Sequence, residues 1–210
     1  MSLQLAERRG RARRGLTGGG DMDPNSQRRA PTAAPPSATP PRDGAADDAI
    51  WQAVTVAANA AYVARDLRRA LDLYHSALDE AERLFALASK ANLSVPAPVI
   101  YNISSHNLAE IAAQLGDQDS AEEFLVRAYD KLRASAASPE TPLPLRLDCA
   151  RHLKHGLALL VQHLHARAAP DAKIATYVEQ AQAAAFAVFH AAKHAETARL
   201  NYDHPTVRPS

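Results

Sequence analysis

The chain has 210 residues, with 24 Lys and Arg against 23 Asp and Glu, and one cysteine, Cys149. The net charge is only +1, whereas nucleic-acid-binding proteins typically carry a strong positive charge. We therefore expect no nucleic-acid partner. One cysteine excludes an internal disulfide and fits a reducing compartment, so we expect a cytoplasmic protein. No run approaches the roughly 18 apolar residues that predict a membrane span.

Proline and glycine divide the chain into segments. Six of the 14 prolines lie between Pro24 and Pro41, and only two glycines, Gly116 and Gly156, occur after residue 45. Because proline inside a helix costs about 3 kcal/mol, helices are expected in the proline-free runs. These runs are 42–95, 99–138, 145–169 and 171–204. They are rich in Ala and Leu, so we predict an all-α fold of about six helices.

Residues 1–48 differ in composition from the rest of the chain. They contain eight Arg, a Gly run and a Pro-rich tract, which predicts a disordered basic extension. A basic tether for an acidic surface is the alternative, and Met22 is an alternative start. The first 15 residues lack the hydrophobic segment of a secretory signal. We predict a helical domain at 49–204 and a frayed C-terminus at 205–210.

The first predicted hairpin pairs helix 1, from a cap at Asp47 or Asp48 to about Ala64, with helix 2, about 67–91. The apolar residues of helix 2 recur every three or four positions, which is typical of one buried helical face. They include Leu67, Ala70, Leu71, Tyr74, Ala77, Leu78, Ala81, Leu84 and Phe85.

The second hairpin pairs helix 3 (about 99–115) with helix 4, which Asp117 or Asp119 caps after Gly116. The third pairs helix 5 (about 145–168) with helix 6 (about 171–200). Leu115 in helix 3, Leu147 in helix 5 and Ala185 in helix 6 are among the residues predicted to pack inside. Small residues separate the larger ones where the helices of a hairpin would cross.

Two hairpins share a spacing of small residues. The first has Ala58 and then Ala70-x3-Tyr74-x2-Ala77, and the second has Ala109 and then Ala121-x3-Leu125-x2-Ala128. This pattern resembles the tetratricopeptide repeat, over residues 50–133 and, in degenerate form, 145–200. The equivalent residues Ala70 and Ala121 are 51 positions apart, whereas the family's repeat is 34 residues long. The resemblance implies a short right-handed solenoid of antiparallel hairpins.

A narrower resemblance is carried by Ser104, His106, Asn107, Leu108 and Ala109. They match a Ser-x-His-Asn-Leu-Ala motif in small uncharacterised bacterial proteins that are similar to tetratricopeptide proteins. That group brings no established activity with it. The repeat family itself implies a peptide-binding groove lined by helices 1, 3 and 5. We therefore predict a protein interaction module with a protein or peptide partner, and self-association stays open.

The candidate peptide-binding residues are Asn59, His106, Asn107 and Arg151. Asn59 and Asn107 match asparagine positions of the family's carboxylate clamp, while Thr55 replaces the clamp's first lysine. The resemblance thus implies weak binding of an extended peptide, because a charge-assisted hydrogen bond is missing. Alternatively, His106 and Asn107 satisfy buried polar groups within their hairpin.

Histidine and cysteine side chains are the candidates for metal binding or catalysis. His152 and His155, and likewise His190 and His194, have the spacing of metal-ligand pairs, but nearby residues complete neither site. Cys149 is predicted to face the core, which disfavours a nucleophile. We therefore predict no enzyme, metal or cofactor. There are two competing hypotheses: a secretion-type chaperone with an apolar groove, and a histidine-based metal-dependent enzyme. The concentration of histidines after residue 151 also suggests a response to pH.

Overall fold

A computed structural model of the chain describes residues 47–90 and 95–203, with side chains described up to residue 200. These residues form six α-helices and no strand, in one compact unit. The helices are α1 (Ala49–Val63), α2 (Leu67–Ala88), α3 (Ala97–Gln114), α4 (Gln118–Ala137), α5 (Leu143–Ala166) and α6 (Asp171–Asp203). The predicted all-α fold is confirmed. The predicted extension at 1–48, except residues 47 and 48, and the segment 205–210 lie outside the described residues.

The helices pack as three hairpins in series. Each helix contacts the next one along the chain, α3 also contacts α5, and α4 also contacts α6. Hydrogen bonds join α1 to α3 and α2 to α4 as well. The odd-numbered helices therefore form one layer, here called the first layer, and the even-numbered helices form the second.

All three hairpins turn through the same motif. Arg65, Gly116 and Ala168 follow the odd-numbered helices with positive φ angles of 63°, 85° and 52°. In each turn the next N–H donates to a carbonyl five residues earlier, which is the Schellman arrangement of helix ends. These bonds run from Asp66 to Ala61, from Asp117 to Ala112 and from Ala169 to Leu164. The turns are 51 and 52 residues apart, so the third hairpin repeats the turn of the first two despite its different sequence.

Small residues and caps form the hairpins, and the small residues and the cap at Asp117 are as the sequence predicts. Ala70 and Ala121 are almost fully buried, which lets the paired helices approach closely. The side chains of Asp66 and Asp117 accept backbone N–H groups at the first turns of α2 and α4. α3 begins at Ala97, two residues earlier than predicted, because Pro98 fits the first turn of a helix.

Several predicted core residues are instead exposed. Leu147 is 38% exposed, and Leu115 and Ala185 also face solvent. The buried face of α5 is set by Leu145, Cys149 and Leu153, and a residue two positions from Leu145 lies on the far side of the helix. Arg146 is buried in place of Leu147, and its Nε donates to the Ala136 carbonyl at 2.9 Å. The guanidinium thereby satisfies a carbonyl at the end of α4.

Candidate functional site

The candidate site lies on the first layer, where α1 meets α3. Trp51 in α1 donates its indole N–H to the Ser104 hydroxyl in α3 at 2.8 Å. Ser104 in turn donates to the Ala77 carbonyl of α2 at 3.5 Å. Three helices are thus fixed at one point, which holds the neighbouring surface of α1 and α3 in place.

Two tyrosines link the same helices further along. The Tyr74 hydroxyl of α2 donates to Asn59 Oδ1 at 2.8 Å, and the Tyr62 hydroxyl of α1 donates to Glu110 Oε1 at 2.9 Å. The Gln114 amide also donates to the Tyr62 hydroxyl. Burial, with Glu110 and Tyr62 as smaller causes, raises the pKa of Tyr74 to about 12. Tyr74 therefore remains a hydrogen-bond donor at neutral pH, and we call these five residues the tyrosine junction.

An apolar stripe of α1 lies beside the tyrosine junction. Val56 is 61% exposed, Val63 is 73% exposed, and Asn59 lies between them at helical spacing on the same face. α1 has no Asp, Glu, Lys or Arg. Exposed valines on an uncharged helix form a surface that can lose its water to an apolar ligand group at little electrostatic cost.

His106 and Asn107 occupy different surroundings in α3. Asn107 is only 8% exposed, and His106 is half-buried with its Nε2 buried and without a hydrogen-bond partner. Burial, followed by the nearby His155 of α5, lowers the pKa of His106 to about 4. The imidazole is therefore neutral at pH 7. The influence of His155 indicates that the imidazole lies on the side of α3 that faces α5.

Arg151 does not join the other predicted site residues. It is exposed on α5, and its guanidinium binds Asp148 at 2.6 Å. The four predicted residues thus lie on the three helices of the first layer, and among the described side chains none of them forms a hydrogen bond with another. Apart from Asn59, the residues of the tyrosine junction are not predicted as site residues, because they come from three helices and follow no spacing rule.

A cleft of about 670 Å³ lies elsewhere, between the start of α4, the turn after α5 and the start of α6. At its wall, Glu122 binds Lys173 at 2.7 Å and lies 3.7 Å from Arg167, which binds Asp119 at 2.8 Å. Bonding to Glu122 raises the pKa of Lys173. The charged side chains at the wall of the cleft are thus paired with one another. Their ion pairs join α4 to the third hairpin.

The histidine and cysteine candidates for metal or thiol chemistry lie in several different surroundings. Among the described residues, no group of three or more His, Cys, Asp or Glu side chains is placed to hold a metal ion. The rings of His152 and His155 are 6.3 Å apart, centre to centre. Cys149 is fully buried as predicted, and burial raises its pKa to about 12, so a reactive thiolate is disfavoured.

The chain belongs to a protein family of unknown function, DUF2753, whose model matches residues 49–195. The match extends from the start of α1 into the last part of α6 and so includes the tyrosine junction and the apolar stripe. Searches of curated proteins and of solved structures found no match. Within the described residues, no helix is long and apolar enough to cross a membrane.

Proposed function

We propose that the protein is an interaction module that binds an extended peptide segment of a partner protein on the first layer, over α1 and α3. The observation that carries this proposal is the exposed pair Val56 and Val63 beside the tyrosine junction. The repeated hairpin turn supports kinship with tetratricopeptide-type repeats, which bind peptides on the corresponding helices. The buried free thiol of Cys149 supports a cytoplasmic location.

The surface combines the two features that peptide binding needs. Val56 and Val63 offer apolar contact area for peptide side chains. Asn59 keeps its amide N–H groups for a peptide carbonyl, because only its oxygen is bonded to Tyr74. The Glu110 carboxylate can accept a peptide N–H. We expect a peptide with apolar side chains and little charge at this contact, since α1 has no charged residue of its own.

The other two predicted residues have secondary places in this proposal. Asn107 is nearly buried in α3, so its role includes holding the packing of that helix. Arg151 lies on α5, where its pairing with Asp148 competes with any peptide carboxylate. Binding is therefore expected to be weak and dominated by α1 and α3.

Selection from a random peptide library displayed on phage tests the proposal without knowledge of the natural partner. Val56→Asp is expected to weaken a selected peptide about tenfold or more, because the peptide would have to desolvate a carboxylate. Asn107→Ala is expected to weaken it several-fold. Asp79→Asn, at an exposed position of α2, is the matched control and should leave the affinity unchanged. Melting temperatures establish that each variant is folded.

Two results would contradict the proposal. One is a selection that yields no peptide specific for the folded chain. The other is a set of peptides whose affinities are the same for the wild type and for Val56→Asp.

A further inference from the structure

The second half of α6 presents an aromatic surface that no described residue covers. Phe186 is 65% exposed and Phe189 is 62% exposed. The ring of His190 lies 4.2 Å from that of Phe186 and 5.8 Å from that of Phe189, centre to centre. Since a phenylalanine side chain can bury about 150–250 Å², the two leave roughly 250 Å² of aromatic area open in each chain. Packing against a partner would remove this aromatic area from water, which favours association.

Charges flank this patch symmetrically. Glu179 lies seven residues before Phe186, and Lys193 lies seven residues after it. Seven residues are two helical turns, so all three side chains lie on one face, with each charge about 10 Å from Phe186 along the axis. Both charged residues are exposed, and among the described residues neither forms an ion pair.

We propose that the protein forms a symmetric dimer in which α6 packs antiparallel against α6 of a second copy, centred on Phe186. A two-fold axis at Phe186 places the two Phe186 side chains together. It also places Glu179 of each copy opposite Lys193 of the other, so one contact generates two ion pairs. Symmetric interfaces require this self-complementarity, in which the first residue contacts the second and the second contacts the first.

The positions between the charges fit the same register. Phe189 lies three residues after the centre, at the level of Ala183 of the second copy, which lies three residues before it. Ala183 is exposed and small, so it leaves room for the ring. The contact spans about four helical turns and is smaller than a standard interface of about 800 Å² per partner. The dimer is therefore weak and depends on protein concentration and salt.

Charge reversal tests the register directly, with the full chain studied by analytical ultracentrifugation over a range of concentrations. Glu179→Lys and Lys193→Glu should each weaken self-association by about fivefold or more, because each turns two attractions into two repulsions. The double variant Glu179→Lys/Lys193→Glu should restore it. An equimolar mixture of the two single variants should also restore association, since both ion pairs reform in the mixed dimer.

Two controls accompany the charge reversals. Phe186→Asp should abolish association, and Asp79→Lys on α2, which also reverses an exposed charge, should leave it unchanged. All these positions are exposed, so circular dichroism should report unchanged helix content. The proposal is overturned if the wild type stays monomeric at every concentration reached, or if the double variant associates no better than the single ones.

Discussion

Protonation of His106 should destabilise the protein as the pH falls. Its pKa is about 4 in the folded state, against 6.5 for a solvated histidine. The unfolded chain therefore binds the proton more tightly, and the folded state loses stability below pH 6.5 until the loss levels off below pH 4. Each tenfold difference in proton affinity is worth about 1.4 kcal/mol. We expect a loss of about 2 kcal/mol between pH 7 and pH 5, and about 3 kcal/mol by pH 4.

His106→Gln isolates this contribution, because glutamine cannot be protonated in this range. Urea unfolding of the full chain at pH 7 and pH 5 gives the free energy of unfolding for the wild type and the variant. The wild type should lose about 2 kcal/mol more than His106→Gln between these pH values. His165→Gln, which replaces an exposed histidine of α5, is the matched control and should follow the wild type. If His106→Gln and the wild type lose the same free energy, the burial of His106 at the α3–α5 contact is wrong.

Other predictions concern the turns, the helix crossings and the thiol. Only glycine adopts a positive φ without strain. In chemical denaturation, Ala168→Gly should therefore stabilise the protein by about 0.5–1 kcal/mol, and Gly116→Ala should destabilise it by about 1 kcal/mol. Ala121→Leu should overpack the crossing of α3 and α4 and cost about 1–3 kcal/mol, and a near-neutral result would contradict that crossing. Cys149 should react with a thiol reagent at pH 8 only after unfolding, and rapid labelling of the native protein would show that it is accessible.

The helices could be predicted because proline and glycine are so unevenly distributed. Long proline-free runs rich in Ala and Leu favour helices. Asp117 directly after Gly116 indicates a turn followed by a helix cap. The burial of Ala70 and Ala121 followed from their spacing with larger apolar residues. The predicted disordered extension, the handedness of the solenoid and the peptide-binding role of Asn59, His106, Asn107 and Arg151 stay predictions.

Details set by three-dimensional packing could not be predicted. Arg65 and Ala168 carry no sign of a left-handed turn in the sequence, because neither is glycine. The turns become visible only through the Schellman hydrogen bonds of the folded chain. Leu147 is apolar, which predicts a core position, whereas the start of α5 places Arg146 inside. The ion pairs of the cleft join residues 45 to 51 positions apart, a separation at which charge patterns in one sequence carry no information.

Photo-crosslinking with a selected peptide tests the proposed function most directly. A photoreactive amino acid in the peptide labels the protein side chains that it contacts, and mass spectrometry identifies them. Peptide binding on the first layer predicts labels on α1 and α3, at and around Val56 and Glu110, that unlabelled peptide suppresses by competition. Labels confined to the cleft beside Lys173, or to the aromatic surface of α6, would contradict it.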